Sequence, residues 1–192
     1  MSPPEQISIA TVGHSIHPIE EFVGILQAHA IRQLVDVRTM PRSRRVPQFN
    51  KENLAVSVQA ASILYRHMPG LGGLRHPKRD STNTGWRNAS FRGYADYMQT
   101  PEFRENLEEL IELAAQSPTA IMCAEAVPWR CHRSLIADAL MARGIPVTEI
   151  LSAKQSRTHA LTPFAQVSGT EVSYPAALAD GSKNLNLEFD GP

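Results

Sequence analysis

Short apolar runs of β-strand length alternate with longer segments of helical periodicity, and this alternation constrains the fold more than any other feature. Strands are predicted at residues 7–12, 31–37, 63–67, 119–123 and 147–151. Helices are predicted between them, from Pro18 onward and at residues 50–61, 91–98, 100–114 and 128–143. This order is typical of a mostly parallel sheet with helices on both faces. We therefore predict an α/β fold, a Rossmann-like three-layer sandwich.

The length of the chain bounds its domain organisation. With 192 residues, of which 42% are hydrophobic, the chain can bury a substantial core within one domain. We predict a single α/β domain over residues 1–178, in which the turn signal Ser168-Gly169 indicates a small C-terminal hairpin. Residues 179–192 are polar and are expected to form a loose tail.

Targeting signals are not evident. No apolar run approaches the roughly 18 residues that span a bilayer, and the first residues, MSPPEQIS, lack the pattern of a secretory signal. We therefore expect a cytoplasmic protein without a membrane partner. The two cysteines are too few for a disulfide framework and are expected to be thiols in a reducing compartment. The sequence leaves open whether the two cysteines form a disulfide or bind a metal. It also leaves the oligomeric state open.

Charge is unevenly distributed although the formal net charge is zero. Residues 32–92 hold 12 basic and three acidic side chains, a formal charge of +9, whereas the rest of the chain carries −9. Arginine accounts for 15 of the 19 basic residues. Its planar guanidinium suits two-point contact with phosphate or carboxylate, so this arginine-rich segment favours an anionic ligand, either a small molecule or a nucleic acid.

Polar side chains follow each predicted strand, where ligands bind in open α/β sheets. The long glycine-containing loop at residues 69–89 also follows a strand, and a loop of that length is usually functional or disordered. Whether it closes as a lid stays open. The candidate substrate-binding residues are His14, Ser15, Asp36, Arg38, Arg44, Arg45, Gly72, Gly73 and Arg133.

The densest concentration of reactive side chains lies between Cys123 and Arg133. If a helix begins near Pro128, Cys131 lies in its first turn, where the helix dipole and nearby cations stabilise a thiolate nucleophile. The candidate catalytic residues are Cys131, Glu125, His132 and Cys123. Glu125 would act as nucleophile or general base and His132 would transfer protons. Cys123 would be a partner thiol, a metal ligand or a small core residue.

Cofactor signatures are weak. Side chains of adjacent helical residues such as Cys131 and His132 diverge by about 100°, so we predict no metal site. No Walker loop, dinucleotide-binding glycine pattern or zinc-protease helix is present, and the cofactor is left unknown.

Several motifs together resemble the family catalogued as domain of unknown function 488 (DUF488). In order and spacing these are TVGHS at 11–15, VDVR at 35–38, SRR at 43–45, LGG at 71–73, MCAE at 122–125 and CHR at 131–133. The resemblance extends over about residues 7–175 and implies an α/β domain whose motifs converge on one pocket. Carried over to this chain, that pocket would contain Asp36, Arg38, Arg44, Arg45, Cys123, Glu125, Cys131, His132 and Arg133. The family has no assigned activity.

Two functions follow from these patterns. One is a Cys- or Glu-dependent hydrolase or transferase acting on an anionic substrate related to nucleotides or nucleic acids. The other is a nucleic-acid-binding module in which the arginines of residues 32–92 contact phosphates, Trp86, Phe91 and Tyr94 stack on bases, and the cysteine cluster is structural. A third interpretation treats the charged residues after the strands as a buried ion-pair network.

Overall fold

The computed structural model describes residues 7–176. The strands are β1 (Ile9–Gly13), β2 (Gln33–Asp36), β3 (Leu64–His67), β4 (Thr119–Cys123), β5 (Val147–Ser152), β6 (Gln155–Thr158), β7 (Gln166–Ser168) and β8 (Glu171–Ser173). The α-helices are α1 (Ile19–Ala28), α2 (Lys51–Ala60), α3 (Ala89–Met98), α4 (Pro101–Ala114) and α5 (Arg133–Met141). The tail predicted at residues 179–192 lies outside the described part of the chain.

Six strands form one sheet in the order β3-β2-β4-β1-β5-β6, and its first five strands run parallel. This confirms the predicted α/β class. Strand β6 pairs antiparallel with β5 at the edge and was not predicted, because its residues are polar and all four are exposed. The hairpin of β7 and β8 confirms the prediction at Ser168-Gly169, with Gly169 at φ 61° in the turn.

Alternating side chains of the strands divide the core into two layers. In β4, Ile121 and Cys123 pack with residues of α3, α4 and α5. Ala120 and Met122 point to the opposite face and pack with residues of α1 and α2. Because successive strand residues face opposite sides of a sheet, both faces are covered by helices. No helix in residues 7–176 is long and apolar enough to cross a membrane.

The segment before α5 differs from the prediction. Pro128–Arg130 form a separate 3₁₀ turn, which the Cys131 N–H closes by donating to the Pro128 carbonyl. Cys131 itself is extended, with φ −134° and ψ 143°, and α5 begins only at Arg133. The placement of Cys131 in a helical first turn is therefore wrong. A proline at the first position starts a 3₁₀ turn as readily as an α-helix, so the sequence signal did not separate the two.

The predicted long loop is held in place although most of it has no regular structure. After the short turn Pro69–Leu71, the chain forms no helix or strand until Ala89. The Asp96 carboxylate, only 2% exposed, accepts hydrogen bonds from Ser81, Asn83 and the backbone of Lys78. A buried carboxylate thus anchors the middle of the loop on α3.

A second buried carboxylate cluster joins the C-terminal strands to α5. His159 donates through Nδ1 to Glu149 at 2.7 Å and through Nε2 to Asp138 at 2.9 Å. Asp138 also accepts from the Tyr174 hydroxyl at 2.8 Å. Burial opposes the charge on the imidazole, but hydrogen bonds to the two carboxylates outweigh it and raise the pKa of His159 to about 9.

We expect the free energy of unfolding to fall by about 3 kcal/mol as the pH rises from 6.5, the ordinary histidine pKa, to about 9. A raised folded-state pKa stabilises the fold fully below the ordinary histidine value, and this contribution is lost as His159 deprotonates. Urea titrations between pH 6 and 10 measure the slope. In His159→Gln this fall in stability should be absent, and an unchanged slope would contradict the assignment.

Candidate functional site

The carboxyl end of β4 is a switch point in the sheet. Connections after β1 and β2 run toward the β3 edge, whereas the connection after β4 runs through α5 to β5 on the other side. Ligand crevices of open α/β sheets form where neighbouring connections diverge in this way. The N–H groups of His14 and Val37 donate to the carbonyls of Cys123 and Met122, both at 3.0 Å, so the three strand ends are held together.

Gly13 permits the close contact between the ends of β1 and β4. A Cβ atom at this position would lie 1.9 Å from the Glu125 backbone oxygen. The same oxygen accepts a hydrogen bond from Arg133 Nη2. The backbone of residues 124–126 is therefore seated against β1 on one side and α5 on the other.

We expect Gly13→Ala to destabilise the protein by about 1–3 kcal/mol, because the added methyl group meets backbone that cannot move aside without shifting the strand ends. Gly24→Ala is the matched control, since a Cβ there meets no atom within 4 Å and the residue lies within α1. It should stabilise by up to about 1 kcal/mol. Equal effects of the two changes in urea unfolding would contradict the close contact.

Asp36 and Arg38 form a buried ion pair beneath the cleft. Arg38 donates from Nε and Nη2 to the two Asp36 carboxylate oxygens at 2.8 and 2.6 Å. Asp36 is fully buried and also accepts from the Tyr65 hydroxyl at 2.8 Å, while Arg38 Nη2 donates to the Phe49 carbonyl at 2.8 Å. Asp36 and Arg38 thus form the kind of buried ion-pair network that the third interpretation of the sequence described.

His14 belongs to the same network as a neutral ring. Burial, followed by the charge of Arg38, lowers the pKa of His14 to about 4. Its Nδ1 donates to the Ser15 carbonyl at 2.8 Å, which leaves Nε2 to accept from Arg38 Nη1 at 3.1 Å. The ring also stacks on Phe49 with centroids 4.1 Å apart. His14 thus orients Arg38, and Ser15 contributes its backbone.

A cleft of about 460 Å³ opens above this network. Its lining brings together six of the predicted site residues: Arg38, Gly73, Cys123, Glu125, Cys131 and His132. Asp36 and His14 are not part of the lining, and their polar atoms are taken up by the ion-pair network. Arg44 and Arg45 are exposed and are not part of the lining.

The two glycines of the loop after β3 have close neighbours. A Cβ on Gly73 would lie 2.5 Å from His132 Nδ1, so this glycine allows the imidazole to pack against the loop. A Cβ on Gly72 would lie 2.2 Å from Thr39 Oγ1. Both glycines therefore permit the loop to approach the strand ends closely.

The floor of the cleft holds a pair of neighbouring thiols. The Sγ atoms of Cys123 and Cys131 and the ring nitrogen of His132 all lie within 4.8 Å of one another, and Cys131 Sγ is 3.7 Å from His132 Nδ1. A hydrogen bond from the Cys123 thiol, with smaller contributions from His132 and Arg133, holds the pKa of Cys131 well below its usual range. The same hydrogen bond, together with burial, raises the pKa of Cys123. Of the two thiols, Cys131 is therefore the one that ionises first.

Arg133 supplies a buried positive charge beside these two thiols. Its side chain is 1% exposed, and its Nε and Nη1 find no hydrogen-bond partner in the described part of the chain. No carboxylate within residues 7–176 forms a salt bridge with it. A buried cation without a carboxylate favours an anion nearby, and the Cys131 thiolate meets that need.

Glu125 differs from the other candidates because its side chain is exposed. It lines the cleft, but its carboxylate forms no hydrogen bond or salt bridge with any described residue. Only its backbone oxygen is engaged, by Arg133. Its carboxylate is thus free to contact a ligand or water in the cleft.

The same cluster has the composition of a metal site, since Cys123, Cys131 and His132 offer three donor atoms. On a helix, the side chains of the adjacent residues Cys131 and His132 would point in different directions. This objection does not apply here, because Cys131 is extended and precedes α5. A structural zinc site needs four ligands. No fourth described His, Cys, Asp or Glu joins the group, and the buried Arg133 charge opposes a further cation.

The structure adds residues to this site beyond the candidate catalytic and substrate-binding residues. Arg130 and Phe91 line the cleft, and Tyr65 and Phe49 complete the network around Asp36. Arg130 could have been found, because it lies within the densest reactive stretch of the sequence. Phe91 was expected from the sequence only to stack on bases, because it comes from α3, beyond the long loop, and no spacing relates it to the cysteines.

The chain matches one known protein family over most of the described residues. The family described as "Domain of unknown function DUF488" matches residues 18–140, which is more than half of the chain. This segment contains the Asp36 and Arg38 pair and both cysteines, and it ends within α5. Searches of curated proteins and of solved structures find no match. The sequence resemblance is thereby confirmed, and the chain belongs to the DUF488 family.

Proposed function

We propose that the protein is a cysteine-dependent hydrolase or transferase that acts on a small anionic substrate, with nucleotides and nucleic-acid-derived compounds as the first class to test. The observation that carries this proposal is the side-chain cluster on the floor of the cleft, where Cys123, Cys131 and His132 lie together near the buried Arg133, whose Nε and Nη1 have no partner among the described residues. A lowered pKa and an adjacent cation are what activate a cysteine as a nucleophile.

The first chemical step is attack by Cys131 Sγ on an electrophilic centre of the bound substrate. A covalent bond forms to sulfur, and the leaving group departs with a proton. His132 lies beside Cys131, with its Nδ1 3.7 Å from Sγ, and its ring is the group that would exchange that proton. Arg130, exposed on the cleft wall, supplies a charge for the anionic part of the substrate.

The second step transfers the group from sulfur to an acceptor. In a hydrolase the acceptor is water, and in a transferase it is a second substrate. The free Glu125 carboxylate on the cleft wall is available to remove the acceptor's proton. This assigns to Glu125 the role of general base and leaves the role of nucleophile to Cys131.

A ligand screen with two readouts tests the proposal. A compound that occupies the cleft raises the melting temperature by mass action and also protects Cys131 from iodoacetamide. The screen covers nucleotides, nucleosides, phosphorylated metabolites and short oligonucleotides. We expect both effects from a small anion, and both should weaken in Arg130→Ala but persist in the exposed control Arg44→Ala. Stabilisation without protection of Cys131 would place the ligand elsewhere and contradict the proposal.

Nucleic-acid binding is a second candidate, favoured by the exposed side chains of Arg42, Arg44 and Arg45 after β2. The predicted stacking platform does not support it, because Tyr94 is fully buried and Trp86 stacks on Phe91 at 4.7 Å within the fold. Oligonucleotide binding would therefore depend on arginine–phosphate contacts. It should weaken steeply with salt, and Arg44→Ala should reduce it while leaving Cys131 alkylation unchanged.

A further inference from the structure

The two cysteines of the chain are neighbours in space, although they belong to different segments of the backbone. Cys123 ends β4, and Cys131 follows eight residues later, just before α5. Their side chains are 8% and 3% exposed, both are free thiols, and both line the cleft. Their sulfur atoms lie within 4.8 Å of each other, so a disulfide requires only a short further approach.

We propose that Cys131 is a site of reversible oxidation by small hydroperoxides, and that Cys123 resolves the oxidised residue by forming a disulfide with it. This inference rests on the proposed function, because it requires Cys131 to be the nucleophilic thiolate. It adds a co-reactant class, the hydroperoxides, and gives Cys123 a chemical role beyond hydrogen bonding.

Oxidation to the disulfide proceeds in two steps. The Cys131 thiolate attacks one oxygen of hydrogen peroxide, so that an S–O bond forms, the O–O bond breaks and hydroxide leaves. The sulfur of Cys123 then attacks the resulting sulfenic acid. The S–S bond forms as the S–O bond breaks, and the hydroxyl group leaves as water with the Cys123 proton. The sulfur pair loses two electrons, and the peroxide oxygens gain them.

The surroundings of the pair favour this outcome over other thiol reactions. The chain has no third cysteine, so Cys123 is the sole partner within the molecule. Because Cys131 is only 3% exposed, a small peroxide reaches it more readily than a bulky disulfide such as oxidised glutathione. The donor atoms of the two cysteines lie within 4.8 Å of each other, and Cys131 belongs to no helix or strand, so the sulfurs can close without unfolding a regular element at that residue.

Oxidation would also switch off the proposed activity. The disulfide removes the nucleophilic thiolate and, with it, the anion beside Arg133, whose Nε and Nη1 have no other partner among the described residues. Reduction by a small thiol would restore both. The cleft would therefore be active under reducing conditions and blocked in the presence of peroxide.

The test treats the full chain with a small excess of hydrogen peroxide and then counts thiols in denaturant, with peptide mass mapping of both cysteines. In the unmodified protein, both thiols should disappear together as an intramolecular disulfide and return with dithiothreitol. In Cys123→Ser, oxidation should stop at a Cys131 sulfenic acid that dimedone captures. In Cys131→Ser, Cys123 should stay a thiol. Should Cys123→Ser fold poorly, judged by circular dichroism, Cys123→Ala replaces it.

Two results would overturn the inference. The first is a dimedone adduct on Cys131 of the unmodified protein while Cys123 stays free, and the second is a disulfide between two chains on a non-reducing gel. If Cys131 is rapidly alkylated but no intramolecular disulfide forms, the proposed function survives and this inference fails. If Cys131 is neither rapidly alkylated nor oxidised, both fail.

Discussion

At pH 7, iodoacetamide is expected to alkylate Cys131 at least about tenfold faster than Cys123. The thiolate is the reacting species, and the hydrogen bond from Cys123, followed by that with His132, holds the pKa of Cys131 below its usual range. The pKa of Cys123 is raised by that same hydrogen bond and by burial. The rate at Cys131 should therefore fall less than the rate at Cys123 as the pH is lowered from 9 to 7.

Substitutions at Cys123 separate the hydrogen bond from other effects. Cys123→Ala removes the donor, so the pKa of the Cys131 thiol should rise and alkylation at pH 7 should slow by about tenfold. Cys123→Ser keeps an O–H donor and should retain most of the rate. Cys131→Ser should abolish the fast reaction. Equal rates in Cys123→Ala and the unmodified protein would show that the thiol pair does not activate Cys131.

The largest loss of stability is expected from Asp36→Asn, at about 3–5 kcal/mol. Arg38 is 8% exposed and Asp36 is fully buried, so the substitution leaves a buried guanidinium without its counterion. The Tyr65 hydroxyl also loses its charged acceptor. Urea unfolding followed by circular dichroism measures the effect.

Two further variants control for this prediction. Arg44→Ala removes an exposed arginine from the same loop region and should change stability by no more than about 0.5 kcal/mol. In a double-mutant cycle, adding Arg38→Met to Asp36→Asn should recover part of the loss, since no unpaired charge then stays buried. Strictly additive losses would mean that the two side chains do not interact as the structure shows.

The segments around the cysteines show where prediction from sequence failed. Pro128 begins a helical turn, but this is a separate 3₁₀ turn that ends at Arg130. Cys131, which follows it, is extended, and α5 begins only at Arg133. The dipole argument for a reactive Cys131 therefore does not hold in its original form. Its thiolate is stabilised by side chains instead, chiefly by Cys123, eight residues away in sequence.

The charged residues after the strands show a related limit. Their position at the strand ends followed from the alternation of strands and helices, but their roles differ according to burial. Arg38 folds inward onto Asp36, whereas Arg44 and Arg45 face the solvent. All three have the same side chain and lie within eight residues, so nothing local in the sequence separates them.

The sequence by itself determined the α/β class, the parallel order of strands and helices, the C-terminal hairpin and the edge of the sheet where polar residues gather. These depend on hydrophobic periodicity and turn residues, which are local properties of the chain. Only the tertiary structure decided which of these side chains are buried and which partners they meet. Hydrogen bonds such as Tyr65 to Asp36, and the approach of Phe91 to the cleft, join segments distant in sequence. The pKa values and ion pairs of these side chains depend on burial and on close partners, and both exist only once the chain has packed.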